Sequence, residues 1–475
     1  MNLVYGIHDK PKFPQVLLFA LQQLLAILAA TIAVPMIVGH GMSTSAALFG
    51  AGVGTLVYQL FTRFRSPVFL GSSFAFLGSM AAAFAGGVSL SAGYLGLIMG
   101  AACAGLVYVV IALIVKKCGT AWINKVMPPV VIGPTVAIIG LSLAGNAVGD
   151  AVGGALVNGS YAMTGTTALK LLCALVTLGT VIACSVYGKK MVKLVPFVIG
   201  ILAGYLLATV FTVIGLTTGN DALKIIDFTK FSSMQWYPDF TFIEAFFKGG
   251  YVFGGEGSSF LSYLGTVAVA YVPVAFVVFA EHIADHKNLS TVIGKDLLED
   301  PGLANTLLGD GVGSIAGAFF GGCPNTTYGE SVGCVAITGN ASVWTITVTA
   351  LMAIAASFVA PFITFLATIP SCVMGGVCIS LYGFIAVSGL KMIQGVDLGD
   401  NRNLFTVSVI LIAGVGGMSL TIGKVTLTEV ACALILGILT NLLVNKFHGK
   451  KTDAAETAED KAEITDAPSS EGDDR

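Results

Sequence analysis

The chain has 475 residues, of which 55% are hydrophobic and only 11% charged, with a formal net charge of −2. Soluble domains carry about 25% charged residues, so the chain has too few charges to build a water-facing surface of its own, and lipid must cover most of its outside. The small net charge and the lack of a basic stripe interleaved with aromatics exclude nucleic acid as a partner.

The N-terminal stretch 1–14 is short and polar and carries no cleavage-type pattern, so the first apolar run is expected to stay in the mature protein. Apolar runs of spanning length then begin near Gln15, Thr44, Val68, Ala92, Pro129, Thr166, Leu194, Phe260, Gly302, Pro324, Val343, Pro370, Leu404 and Thr426. This reads as an all-α polytopic membrane protein of about fourteen segments, each near the ~20 residues a bilayer requires. The runs near Val68 and Pro324 are irregular. Residues 218–258, with Trp236 and Tyr237, read as a long external loop, and the acidic, polar stretch 449–475 as a disordered tail. The intervening blocks, 15–217 and 259–448, hold seven segments each. The nine cysteines show no paired metal spacing and read as small core- or lipid-facing residues.

Alternating the segments from an internal N-terminus places Lys10, Lys12, Arg63, Arg65, Lys116, Lys117, Lys125, Lys189, Lys190, Lys193, Lys287, Lys295, Lys391, Arg402, Lys446, Lys450 and Lys451 on one side. The other side receives only Lys170, Lys224, Lys230, Lys248 and Lys424. The positive-inside rule then puts both termini in the cytoplasm of a cell whose inner membrane the chain crosses many times.

The third and tenth segments share a pattern. Pro67-Val68-Phe69-Leu70-Gly71-Ser72-Ser73-Phe74 and Pro324-Asn325-Thr326-Thr327-Tyr328 each run from proline through hydroxyl residues to an aromatic. The fifth and twelfth both place glycine five residues after proline, at Pro128 and Gly133 and at Pro370 and Gly375. Corresponding interrupted segments in two halves of seven point to inverted repeats with a site at the bilayer midplane.

Charged groups at membrane depth are costly and mark function. Three acids lie at that depth: Glu281, Asp310 and Glu330. Glu281 and Asp285 are four apart and share a helix face, and His282 and His286 form a second such pair. Zinc is disfavoured, because Ile283 stands where the metalloprotease pattern places its glutamate; no metal or other cofactor is expected. His286 is a candidate for a proton path, with a cytoplasm-facing helix end as the alternative, and Asp310 for helix–helix hydrogen bonding or gating support, with direct coupling as the alternative. Extended backbone around Ser72, Ser73 and Gly329 offers N–H groups beside helix N-termini, and Phe74 and Tyr328 are placed to stack on a flat ligand. A neutral nucleobase such as uracil fits this balance of acceptors and donors, whereas paired carboxylates would repel an anion. An intramembrane aspartyl enzyme is disfavoured, since Leu307-Leu308-Gly309-Asp310 lacks the first glycine of its motif.

On these stretches, with Ala280-Glu281-His282, Lys295 to Leu303, and Glu330-Ser331-Val332-Gly333 through Thr338, the sequence resembles the nucleobase–ascorbate transporter family. The likeness runs from about Pro11 to Val444 and is strongest to the bacterial uracil:proton symporters. It implies seven plus seven inverted segments split into a core and a gate domain, with short strands in segments 3 and 10. It also implies that Glu281 and Glu330 hydrogen-bond the base, that the backbone at Phe74 and Gly329 contacts it, and that Tyr328 lines it. His286 would match the histidine linked to proton coupling, with Ser72, Ser73, Asp310 and Thr338 in support. A homodimer through the gate is implied too. H+ is the expected coupling ion, with Na+ left open, and a purine such as xanthine is the alternative cargo. Two departures stand out: Gln22-Gln23 replaces a frequent Gln-His, and Ser331 replaces the signature asparagine.

Overall fold

The computed structural model describes residues 3–446 apart from 155, 158, 190, 256–257 and 423–424; the expected tail at 449–475 lies outside the described residues. Among these residues, nine helices are long and apolar enough to cross a bilayer. They are α1 (Phe13–Val38), α2 (Thr44–Phe61), α4 (Leu90–Cys118), Pro129–Val152, α7 (Gly165–Tyr187), α8 (Pro196–Thr218), α9 (Phe260–Ile293), α14 (Ser371–Ile393) and α16 (Glu429–Lys446). A break after Ser142 divides Pro129–Val152 into α5 (Pro129–Ser142) and α6 (Ala144–Val152).

The other expected segments are not among these nine. The third is a strand, β1 (Leu70–Ser72), a 3₁₀ turn at Phe74–Phe76 and the short helix α3 (Leu77–Ala83). The tenth is β2 (Asn325–Thr327) followed by α11 (Gly329–Thr338). The ninth, α10 (Leu303–Gly321), contains the buried Asp310. The eleventh bends by 83° between α12 (Val343–Ala356) and α13 (Ala360–Thr368). Pro361, in the first turn of α13, has no N–H to continue the preceding helix and would clash with its carbonyls. The thirteenth, α15 (Asn401–Val415), is only 15 residues long.

Two packed groups result. In the core, α2 and α4 pack on α10, α9 packs on α4, and α12 closes over α1 and α2. In the gate, α14 packs on α5, α6 and α7, with α8 on α7 and α15 on α5. Small residues set how closely the core helices approach, as is usual where lipid supplies no hydrophobic drive. A Cβ added at Gly50 of α2 would stand 2.5 Å from the Gly317 carbonyl of α10, and one at Gly317 would overlap the Asn325 side chain. Gly317→Ala is therefore expected to destabilise the protein by about 1–3 kcal/mol through overpacking, read as a lowered melting temperature in detergent.

The strands β1 and β2 pair antiparallel at the centre of the core, with Leu70 opposite Thr327, Gly71 opposite Thr326 and Ser72 opposite Asn325. Each satisfies its backbone against the other, which is what permits extended chain at membrane depth. The pair joins the two broken segments, each of which runs from its strand into a short helix beside the cavity.

At the Lys/Arg-rich side, Asp300 in the α9–α10 loop accepts from Lys295 Nζ at 2.5 Å and from Arg65 Nη1 at 2.8 Å. Lys295, then Arg65, hold its carboxyl down at about 2. A lowered folded value means that the ion pairs stabilise fully above the unfolded value of about 4 and are lost as pH falls through the folded one. Asp300→Asn is expected to lower the melting temperature near neutral pH, and the gap to wild type should close as pH drops from about 4 towards 2.

Candidate functional site

A cavity of about 390 Å³ lies between core and gate and touches the start of both half-helices, within the size range of small-molecule sites. Its deep wall is built by Phe74, Glu281, Asp285, Tyr328, Gly329 and Glu330, and its gate wall by Val136, Phe197, Phe384 and Ile385. Lys193, Asn288 and Ser388 lie along its rim, so it opens on the Lys/Arg-rich side.

The positioning of each group follows from the local chain. Tyr328 is N-terminal to α11; its N–H donates to Phe69 O at 3.2 Å and its hydroxyl to Ser72 O at 2.8 Å. A Cβ at position 71 would overlap the Tyr328 ring, so Gly71 is the residue that lets this aromatic lie flat on β1. The opening N–H groups of α11, at Gly329 and Glu330, have no intrahelical acceptor, and Glu330 sits in that first turn, where a carboxylate meets the positive end of the helix. Phe74 meets Tyr382 of the gate edge-to-face at 5.4 Å. Ser73 lines the cavity, and its N–H donates to Pro324 O at 2.9 Å.

The structure brings Phe74, Ser73, Glu281, Tyr328, Gly329 and Glu330 to one cavity and leaves other candidates outside its lining. Ser72 is buried behind it and contributes its carbonyl to Tyr328. Thr338 caps the far end of α11, donating to Cys334 O at 2.7 Å and accepting from Asn340 N–H at 3.2 Å. Asp310 is fully buried in the core; its Oδ2 lies 2.6 Å from His282 Nδ1 and accepts from Thr326 at 3.4 Å. His286 faces away from the cavity: its Nδ1 donates to His282 O at 2.8 Å and its Nε2 lies 2.7 Å from the Tyr58 hydroxyl.

Three participants were missed as site residues in the sequence. Asp285 lines the cavity one helical turn from Glu281 and accepts from Thr327 Oγ1 at 2.9 Å; its four-residue spacing from Glu281 is the signal that marks it. Gln23 Nε2 donates to Ser331 Oγ, which also accepts from Phe69 N–H at 3.0 Å. The two departures noted above, Gln22-Gln23 and Ser331, thus meet through Gln23, tying α1, α11 and β1 together behind the site. His282 completes the buried pair with Asp310, its Nε2 lying 3.0 Å from Thr306 Oγ1.

A multi-pass helical core and gate, parted by one carboxylate-lined cavity at the ends of two broken segments, defines a membrane transporter. The chain matches the model of the Permease family over residues 14–423. The uracil permease of Bacillus caldolyticus is 40% identical over 446 residues, covering 93% of this chain and 94% of that protein. The uracil permease of Escherichia coli K12 is 33% identical over 465 residues, covering 97% and 98%. Among solved structures, the transmembrane domain of the cyanobacterial bicarbonate transporter BicA aligns with a TM-score of 0.59 at 17% identity, covering 91% of this chain and 100% of that domain. The murine anion transporter Slc26a9 in its inward-facing state aligns at 0.62 and 13% identity, covering 93% and 70%. The chain belongs to the nucleobase–ascorbate transporter family, and its fold is the inverted-repeat fold of these carriers.

Proposed function

We propose that this protein imports uracil together with H+ across the inner membrane by alternating access, with both termini in the cytoplasm. The observation that carries the reading is the convergence of Glu281, from α9, and Glu330, from α11, in one cavity beside the start of α11, whose first N–H groups have no intrahelical acceptor. Uracil presents ring N–H donors to the carboxylates and carbonyl acceptors to the backbone N–H groups, and Phe74 and Tyr328 supply faces for its ring. The names of the relatives point to the same cargo.

Proton coupling follows from the same cluster. Glu281 lies within electrostatic reach of Asp285, Glu330 and Asp310, and several carboxylates sharing one cavity do not all ionise together. Taking up a proton relieves the repulsion, so a protonated, loaded site can release both cargoes where the cavity meets the cytoplasm. In this reading the proton is handled by Glu281, Asp285 and Glu330, while His286 positions α9 through Tyr58. Rocking of the core against the gate exposes the site alternately, with the contact of Phe74 and Tyr382 as the part that separates. The gate is also the face through which a homodimer would form.

Binding of labelled uracil to the purified protein, competed by unlabelled bases, tests the assignment of cargo. Displacement by uracil but not by xanthine is expected; displacement by xanthine alone would move the protein to purine transport.

A further inference from the structure

We propose that the core holds one bound water molecule between Tyr108, Ser314 and Asn325, and that this water fixes β2 behind the cavity. A chamber of about 10 Å³, separate from the large cavity, lies among α4, α9, α10 and β2; this is about the space that one water requires. Tyr108, Ser314 and Asn325 are its polar lining, with Phe76 and Val278 closing the apolar side.

Two buried polar atoms belong to this lining. Tyr108 and Asn325 are 4% and 2% exposed, and neither Tyr108 Oη nor Asn325 Oδ1 has a hydrogen-bond partner among the described residues. The amide of Asn325 is fixed, because its Nδ2 donates to Gly50 O at 3.0 Å. Oδ1 is therefore the end that needs a donor. Burying a carbonyl oxygen and a phenol without partners is costly, and the two do not bond each other directly. A water donates to Asn325 Oδ1 and exchanges a second bond with Tyr108, while Ser314 Oγ offers a third. A cation fits less well, because the polar groups that line the chamber are neutral: a phenol, a hydroxyl and an amide.

The consequence for the site rests on the transport reading above. Asn325 opens β2, whose next two residues hold Asp310 and Asp285 through their hydroxyls and which leads directly into Tyr328, Gly329 and Glu330. Tyr108 and Asn325 are positioning residues that act on the cargo through this strand.

The test is a density map of the full-length protein in lipid nanodiscs, at a resolution that shows ordered water, for wild type and Tyr108→Phe. One peak within hydrogen-bond distance of Tyr108 Oη and Asn325 Oδ1 is expected in wild type, weakened or lost in the variant. No peak in wild type, or one that appears only with added Na+, would overturn the proposal. Melting temperatures give a second readout. Tyr108→Phe and Ser314→Ala should each lower stability, and the double variant should lose less than their sum; strict additivity would contradict a shared water. For positioning, Tyr108→Phe should raise KM for uracil severalfold with the maximal rate unchanged, and an unaltered KM would remove that half of the proposal. The map requires no cargo, so the water and the choice of uracil fail independently.

Discussion

Glu281→Gln and Glu330→Gln are each expected to abolish uracil accumulation while leaving a folded, membrane-inserted protein. The amide keeps the size of the carboxyl and still offers an acceptor oxygen, so packing around the cavity should hold. What it loses is charge and the ability to take up a proton. A hydrogen bond to an ionised group contributes about 1.5–3 kcal/mol against about 1 for a neutral one, so base binding should weaken by about tenfold. Accumulation should fall much further, because an amide removes a proton site from the cycle. Uptake into cells, set beside melting curves of the purified variants, separates these effects. Wild-type accumulation by either folded variant would remove that carboxylate from the site.

The second large effect distinguishes two neighbouring residues on α9. Asp285→Asn is expected to abolish gradient-driven accumulation and to retain exchange of labelled for unlabelled uracil, since the base can still be held by Glu281 and Glu330. His286→Ala is expected to lower the melting temperature through loss of the Tyr58 contact while its uptake keeps the wild-type dependence on the proton gradient. The reverse pattern, with coupling lost in His286→Ala and kept in Asp285→Asn, would return the proton path to the histidine.

These two residues also show where sequence reading reaches its limit. On a helix with about 100° per residue, Asp285 lies roughly 40° from the face of Glu281 and His286 roughly 140° from it. The spacing marks Asp285 as a neighbour of Glu281, the family resemblance gives His286 a coupling role, and the paired variants above decide between the two. The broken segments were legible because proline, glycine and hydroxyl residues interrupt apolar runs at 67–74 and 322–330, and extended chain there has few physical alternatives. The two carboxylates of the cavity were legible because acids at membrane depth are expensive. The bend in the eleventh segment was not, since the apolar run continues through Pro361 without a change in composition. Nor was the link from Gln23 to Ser331, whose partners are 308 residues apart and meet only once β1 and β2 have paired. The pairing of His282 with Asp310 is of the same kind: each was visible as a polar residue in an apolar run, and only the folded core shows that they satisfy each other.

The most direct measurement of the central claim is labelled uracil uptake into proteoliposomes carrying the purified protein, with and without an imposed inward proton gradient in Na+-free buffer. The account predicts accumulation above the external concentration only with the gradient, abolished by a protonophore and blocked by unlabelled uracil. Equal uptake with and without the gradient, or accumulation that appears only on adding Na+, would contradict it.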